Sequence, residues 1–167
     1  RPLLATGCDQ IESLGQQIKL AERQLEALAE QTPLVERLRT IPGIGLIAGT
    51  ALPAFVGGVE RFPSGRHFAS YLGLTPSERS SGTRRRLGSI SKLGDIYLRM
   101  LLIHGARSVI CHAKRAKSND RLRSWALQLA SRTRYNKAVT ALANRIARIV
   151  WAVWLHDRPY ESPKPAA

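Results

Sequence analysis

Leu38-Arg39-Thr40-Ile41-Pro42-Gly43-Ile44-Gly45-Leu46-Ile47-Ala48-Gly49-Thr50-Ala51-Leu52 is the stretch on which the reading of the fold turns. Pro42 and Gly43 interrupt a helical pattern, and Gly45 precedes a second apolar run. In that run Ala48, Gly49 and Ala51 are small enough for close packing. Two helices joined by a tight glycine turn are expected over residues 38–54, and the chain on either side keeps the helical period. The expected class is mainly all-α.

Upstream, Ile11, Leu14, Ile18, Ala21, Leu25 and Leu28 fall in alternating steps of three and four among polar residues, the pattern of a helix with a narrow apolar seam. Such a seam fits a coiled coil between subunits, giving a dimer or tetramer, or an antiparallel hairpin inside one chain. Gln31-Thr32-Pro33 ends this helix, with Thr32 placed as N-cap and Pro33 as the first residue of a short helix through Leu38. Downstream, Phe55 to Pro63 reads as a loop, Arg66 to Leu72 as a short helix ended by Gly73, and His67 as a surface histidine.

From Asp95, placed as an N-cap, a helix buried on most sides is expected. Ile96, Tyr97, Leu98, Met100, Leu101, Leu102, Ile103 and Val109 supply its core faces, and Arg99, Arg107 and Lys114 its exposed one. Ser118-Asn119-Asp120 restarts a helix to about Leu129. Tyr135 to about His156 forms the last one, on Val139, Leu142, Ile146, Ile149, Val150 and Val153. Three segments are expected: a coiled-coil-like helix over 1–32, a helical domain over 33–156, and a flexible tail over 157–167 carrying Pro159, Pro163 and Pro165.

Residues 75–94 differ in kind. Five serines, five basic side chains and three glycines with few core residues make a loop or a short twisted hairpin, and long polar loops on a helical scaffold carry function. The chain has 167 residues and a formal net charge of +14, of which +12 lies between residues 77 and 137. Charge so localised is the footprint of a surface for polyanions, with nucleic acid ahead of an anionic membrane. No apolar run approaches the roughly 20 residues of a membrane span. Cys8 and Cys111 lie far apart, as two reduced thiols of a cytoplasmic protein would. The start at Arg1-Pro2, without initiator Met, suggests a piece of something longer. After residue 76 the acids Glu78, Asp95, Asp120, Asp157 and Glu161 are too dispersed for a two-metal centre, so no metal site is expected in this chain.

The IPGIG turn is similar to the helix-hairpin-helix element of DNA binders that do not read sequence. There the backbone N–H groups of Gly43, Ile44 and Gly45 would meet a phosphate; a turn used for packing alone is the alternative. Among the loop's basic groups, Arg79, Arg84, Arg85, Arg86 and Lys92 are candidate phosphate ligands, because guanidinium forks suit phosphate oxygens.

Taken together, IPGIG, then F-x-S-Y-L-G-L-T-P, then E-R-S-S-G-x-R-R-R-L-G-S-I-S-K-L-G-D-x-Y-L-R-x-L-L closely resemble the C-terminal domain of bacterial insertion-sequence transposases of the IS110 and IS1111 group, over roughly Leu34 to Ala106. The resemblance implies a DNA recombinase whose serine attacks a DNA phosphate. It implies Ser81 as nucleophile, with Ser80 second, and guide RNA as a further partner beside DNA. It also implies a preceding RuvC-like domain whose acidic DEDD site holds Mg2+, so that this piece alone would be inactive. A non-catalytic nucleic-acid-binding and dimerisation module is the competing reading.

Overall fold

A computed structural model describes residues 2–113 and 120–162. The described elements run α1 (Pro2–Glu30), α2 (Pro33–Arg39), α3 (Leu46–Val56), α4 (Gly65–Tyr71), β1 (Pro76–Glu78), β2 (Leu87–Ile90), α5 (Ile96–Ala113), α6 (Arg121–Arg132) and α7 (Tyr135–His156). The domain is mainly α, with one two-stranded antiparallel sheet. Lys114, Ser118, Asn119, Pro163 and Pro165, singled out above, lie outside the described residues.

Helix α7 is the axis of the core. Ala138, Val139, Leu142, Ala143, Ile146, Ala147, Val150 and Val153 are all buried, and α2, α4, α5 and α6 pack around it. Their three-and-four spacing makes one wide apolar stripe, so a 22-residue helix can serve four neighbours. Over an 18-residue window α7 reaches a mean hydropathy of 1.3, and it alone among the described helices is long and apolar enough to cross a membrane. Lys137, Arg145 and Arg148 interrupt its sequence, so no unbroken apolar run is present, and its stripe from Ala138 to Val153 lies in the protein interior.

The IPGIG turn forms as read. Gly43 adopts φ +90°, and a Cβ there would stand 2.8 Å from the carbonyl oxygen of Gly105 in α5. Backbone therefore packs on backbone, with Ile41 and Ile44 buried on either side. Thr32 stands at the N-cap position of α2 with Pro33 at N1, but its hydroxyl donates back to Leu28 O of α1 rather than capping α2.

Helix α1 touches only α2 and α3 among the described elements, and from Leu4 onward Ala29 is its single buried residue. Ile11, Leu14, Ile18 and Leu28 of the seam stand more than half exposed. No described part of the chain folds back along it, so a hairpin within residues 2–113 and 120–162 is not formed.

Helix α5 corrects the expected burial. Its core stripe is Leu98, Leu102, Ala106, Val109, Ile110 and Ala113, while Ile96, Tyr97 and Met100 face outward. Arg99, expected on the open face, is 8% exposed: its Nη1 donates to Leu72 O at 3.2 Å and Gly94 O at 3.4 Å. The end of α4 leaves carbonyls without helical partners, and a guanidinium at the start of α5 supplies donors to one of them. Asp95 caps α5 as expected, its Oδ1 accepting from Leu98 N at 2.7 Å. Residues 157–162 of the expected tail are tied down: Tyr160 N donates to Thr40 Oγ1, and the hydroxyls of Tyr160 and Ser162 donate to Asp120.

Candidate nucleic-acid interface

The serine-arginine segment is a β-hairpin. Pro76 pairs with Ile90 and Glu78 with Leu87, with an irregularity between the two pairs, and beyond the strands Ser81 and Arg84 form a further bridge. Ser81 N donates to Arg84 O at 3.3 Å and Arg84 N to Ser81 O at 3.1 Å, closing a two-residue turn on Gly82-Thr83. Gly82 has φ +56° and Thr83 does not have positive φ, the sign pattern of a type II′ turn, which asks for glycine first. Few apolar residues are needed because the base of the hairpin alone meets the core: Leu74 is buried, and Asn144 Nδ2 of α7 donates to its carbonyl at 3.2 Å.

Every residue from 78 to 89 is exposed. Ser80 and Ser81 are adjacent but differently engaged. The Ser80 hydroxyl donates to Glu78 Oε1 at 2.7 Å and accepts from Arg86 N at 3.1 Å, so both its roles serve the hairpin. The Ser81 side chain has no hydrogen-bond partner among the described residues. Arg79, Arg84, Arg85 and Arg86 share the hairpin's outer half with Ser81, and Arg85 lies 3.4 Å from Glu78. Lys92 stands at the hairpin's exit with φ +57°, its N–H bonded to Gly73 O.

The IPGIG turn is not brought to the hairpin. Gly43 sits against Gly105, nine residues beyond the α5 start that follows the hairpin, about 14 Å along that helix. Gly45 is exposed at the N-cap of α3, Gly43 is half-buried and Ile44 is 5% exposed in the core. Among the three, Gly45 alone presents an open surface, and the close approach to Gly105 gives the turn a packing role of its own.

Sequence reading did not single out a second basic feature. A cavity of about 950 Å3 between α4, α6, α7 and the chain after α7 is lined by Arg66, Arg121, Arg145, Arg148 and Arg158. A neighbouring one of about 720 Å3 opens at the hairpin's base beside Ser89 and Ile90, and Arg145 and Arg148 line both. Their i, i+3 spacing in α7 was visible; their convergence with Arg66 and Arg121 comes from tertiary packing.

Among the described residues no three His, Cys, Asp or Glu side chains gather where they could hold a metal ion. Burial and the charge of Asp120 push the Tyr160 phenol above its usual range. A hydrogen bond with Cys111 raises that of Tyr135. Cys8 and Cys111 are free and exposed.

These features define a class first: a mainly helical domain that presents serine and arginine on a β-hairpin rooted in its core. The chain belongs to the Transposase IS116/IS110/IS902 family, whose pattern matches residues 35–123, a span that includes the IPGIG turn and the whole hairpin. It is 41% identical over 153 residues to a probable family 20 transposase of Pseudomonas aeruginosa, covering 91% of this chain and 44% of that protein. It is 37% identical to the transposase for insertion sequence element IS1111A of Coxiella burnetii, over 83% of this chain and 38% of the relative. A third relative, the transposase for insertion sequence element IS1328 of Yersinia enterocolitica, is 36% identical over 87% of this chain and 41% of its own length. The chain thus spans about two-fifths of the curated relatives it matches.

Proposed function

We propose that this chain is the serine-bearing part of a DNA transposase, acting in the cytoplasm on DNA and on a guide RNA, with Ser81 as the nucleophile of strand cleavage and exchange. One observation carries the reading: in a member of a transposase family, an unengaged serine hydroxyl projects from an exposed hairpin among four arginines. In the step proposed, a Ser81 Oγ–P bond forms and the P–O bond to the departing nucleotide breaks. The hydroxyl proton passes to a base, and the leaving oxygen takes up a proton. Guanidinium groups from Arg79, Arg84, Arg85 and Arg86 would bind the non-bridging oxygens as negative charge builds on them. The carboxylates that would hold Mg2+ are placed, on this reading, in another domain of the whole transposase, so the isolated chain is inactive.

A second assignment within the same reading rests on a specific contact. Ser80 donates to Glu78 at 2.7 Å, the geometry of a hydroxyl beside its general base. Ser81 is preferred because its oxygen is not committed to the Arg86 N–H that Ser80 accepts. Subunits associate, on this proposal, through the exposed seam of α1. The test is strand cleavage by the whole transposase with Mg2+, guide RNA and DNA. Ser81→Ala abolishes it and Ser80→Ala does not; the reverse assigns the nucleophile to Ser80, and activity in both variants supports a non-catalytic binding and dimerisation module.

A further inference from the structure

We propose that the trough along α7 seats the phosphodiester backbone of duplex DNA as it runs away from the hairpin. This inference rests on the reading of DNA as the hairpin's substrate and extends it to a surface that the serine-arginine hairpin does not include. Arg66 comes from α4, Arg121 from α6, Arg145 and Arg148 from α7 and Arg158 from the segment after it, yet all five line one cavity. None is ion-paired with a described carboxylate: the ion pairs of the described residues use Arg37, Arg39, Arg85 and Arg123. Glu161 is the one carboxylate on the rim. Five like charges around one cavity repel each other, and a polyanion relieves that repulsion with the phosphate geometry guanidinium groups match best.

Shape and continuity identify the polyanion. Arg145 and Arg148 also line the second cavity, which opens at the hairpin's base, so the basic surface reaches the root of the hairpin that carries Ser81. From Asn136 to His156 the trough follows 21 residues of α7, about 30 Å, the axial length of roughly nine base pairs of duplex. Arg145 stands over the Trp125 ring at 4.5 Å, so that face already holds a cation rather than a base. Backbone rather than splayed bases is what such a surface contacts. Ile149, Ala152 and Val153 add apolar side chains against which a deoxyribose face can pack, and the choice of DNA rests on the hairpin's proposed substrate.

The test measures binding of the 167-residue chain to a 20-base-pair DNA duplex, and to RNA of the same sequence, by fluorescence anisotropy across a salt series. The triple variant Arg66→Gln, Arg121→Gln, Arg148→Gln should flatten the slope of log affinity against log salt by about 2.7, at about 0.9 per lost phosphate contact. Between 50 and 200 mM salt its affinity then falls about 40-fold less than that of the unmodified chain. Lysine at the three positions should restore the slope, and neutralising Lys19, Arg23 and Arg107, which do not line the trough, should leave it unaltered. Circular dichroism of the triple variant checks that it folds. An unchanged slope in the folded triple variant overturns the inference, as does flattening with RNA alone. Ser81→Ala keeps the full slope whether or not Ser81 is the nucleophile, so the two proposals fail separately.

Discussion

Arg99 ties the hairpin to the helical core, and replacing it by methionine isolates that link. Methionine keeps much of the side chain's length and apolar stem but removes the Nη1 donor to Leu72 O at 3.2 Å and Gly94 O at 3.4 Å. A hydrogen bond from a charged donor contributes about 1.5–3 kcal/mol, and the longer of these two lies at the weak end, so the pair is set at about 3 kcal/mol. For a chain of this size that lowers the melting temperature by about 6–12 °C. Hydrogen exchange gives the local readout. The amides of Ser91 and Lys92, which bond to Thr75 O and Gly73 O where the hairpin leaves the core, should lose protection before those of α7. A melting temperature within about 2 °C of the unmodified protein, with Ser91 and Lys92 still protected, would refute the anchoring role.

Three further outcomes follow from the same structure. Changing Arg84, Arg85 and Arg86 to glutamine should weaken nucleic-acid binding by a similar factor for unrelated sequences and reduce the salt slope by about 2.7, read by anisotropy; a sequence-selective loss would contradict a backbone-contact role. Ile18→Asp, on the exposed seam of α1, should shift the sedimentation coefficient to that of a monomer; an unaltered oligomer would assign the seam to another part of the protein. Tyr160 has a raised folded-state pKa, so the stability it contributes is complete below the ordinary tyrosine value of about 10 and is lost as pH rises through the higher folded value. Tyr160→Phe should therefore melt earlier than the parent at pH 8, with the gap narrowing above pH 10; a constant gap would contradict the linkage.

The elements easiest to read were those set by local chemistry. Gly94-Asp95 before an apolar run announces a cap, and Oδ1 of Asp95 makes it; Pro42-Gly43 announces a turn, and Gly43 takes the left-handed conformation. The hairpin was legible as polar and glycine-bearing, though its register depends on pairing across the strands. Arg99 was misread because apolar residues surround α5 on nearly every side, so the period alone does not choose a face. A partner carbonyl 27 residues upstream decides it. The trough along α7 was hidden for a similar reason. Arg145 and Arg148 resemble the solvated face of an amphipathic helix until α4 and α6 bring Arg66 and Arg121 beside them. Tyr160 and Ser162 fall in a segment whose composition suggests a tail, and Asp120, more than 40 residues away in Ser162's case, is what holds them.

The central claim is that a serine at the hairpin's tip becomes bonded to DNA. Its most direct test is to trap the whole transposase on its DNA with Mg2+ and guide RNA, digest protein and nucleic acid, and locate the nucleotide-bearing peptide by tandem mass spectrometry. The account predicts a phosphodiester adduct on Ser81 that disappears in Ser81→Ala. An adduct on Ser80, or strand exchange with no protein–DNA adduct, would contradict it.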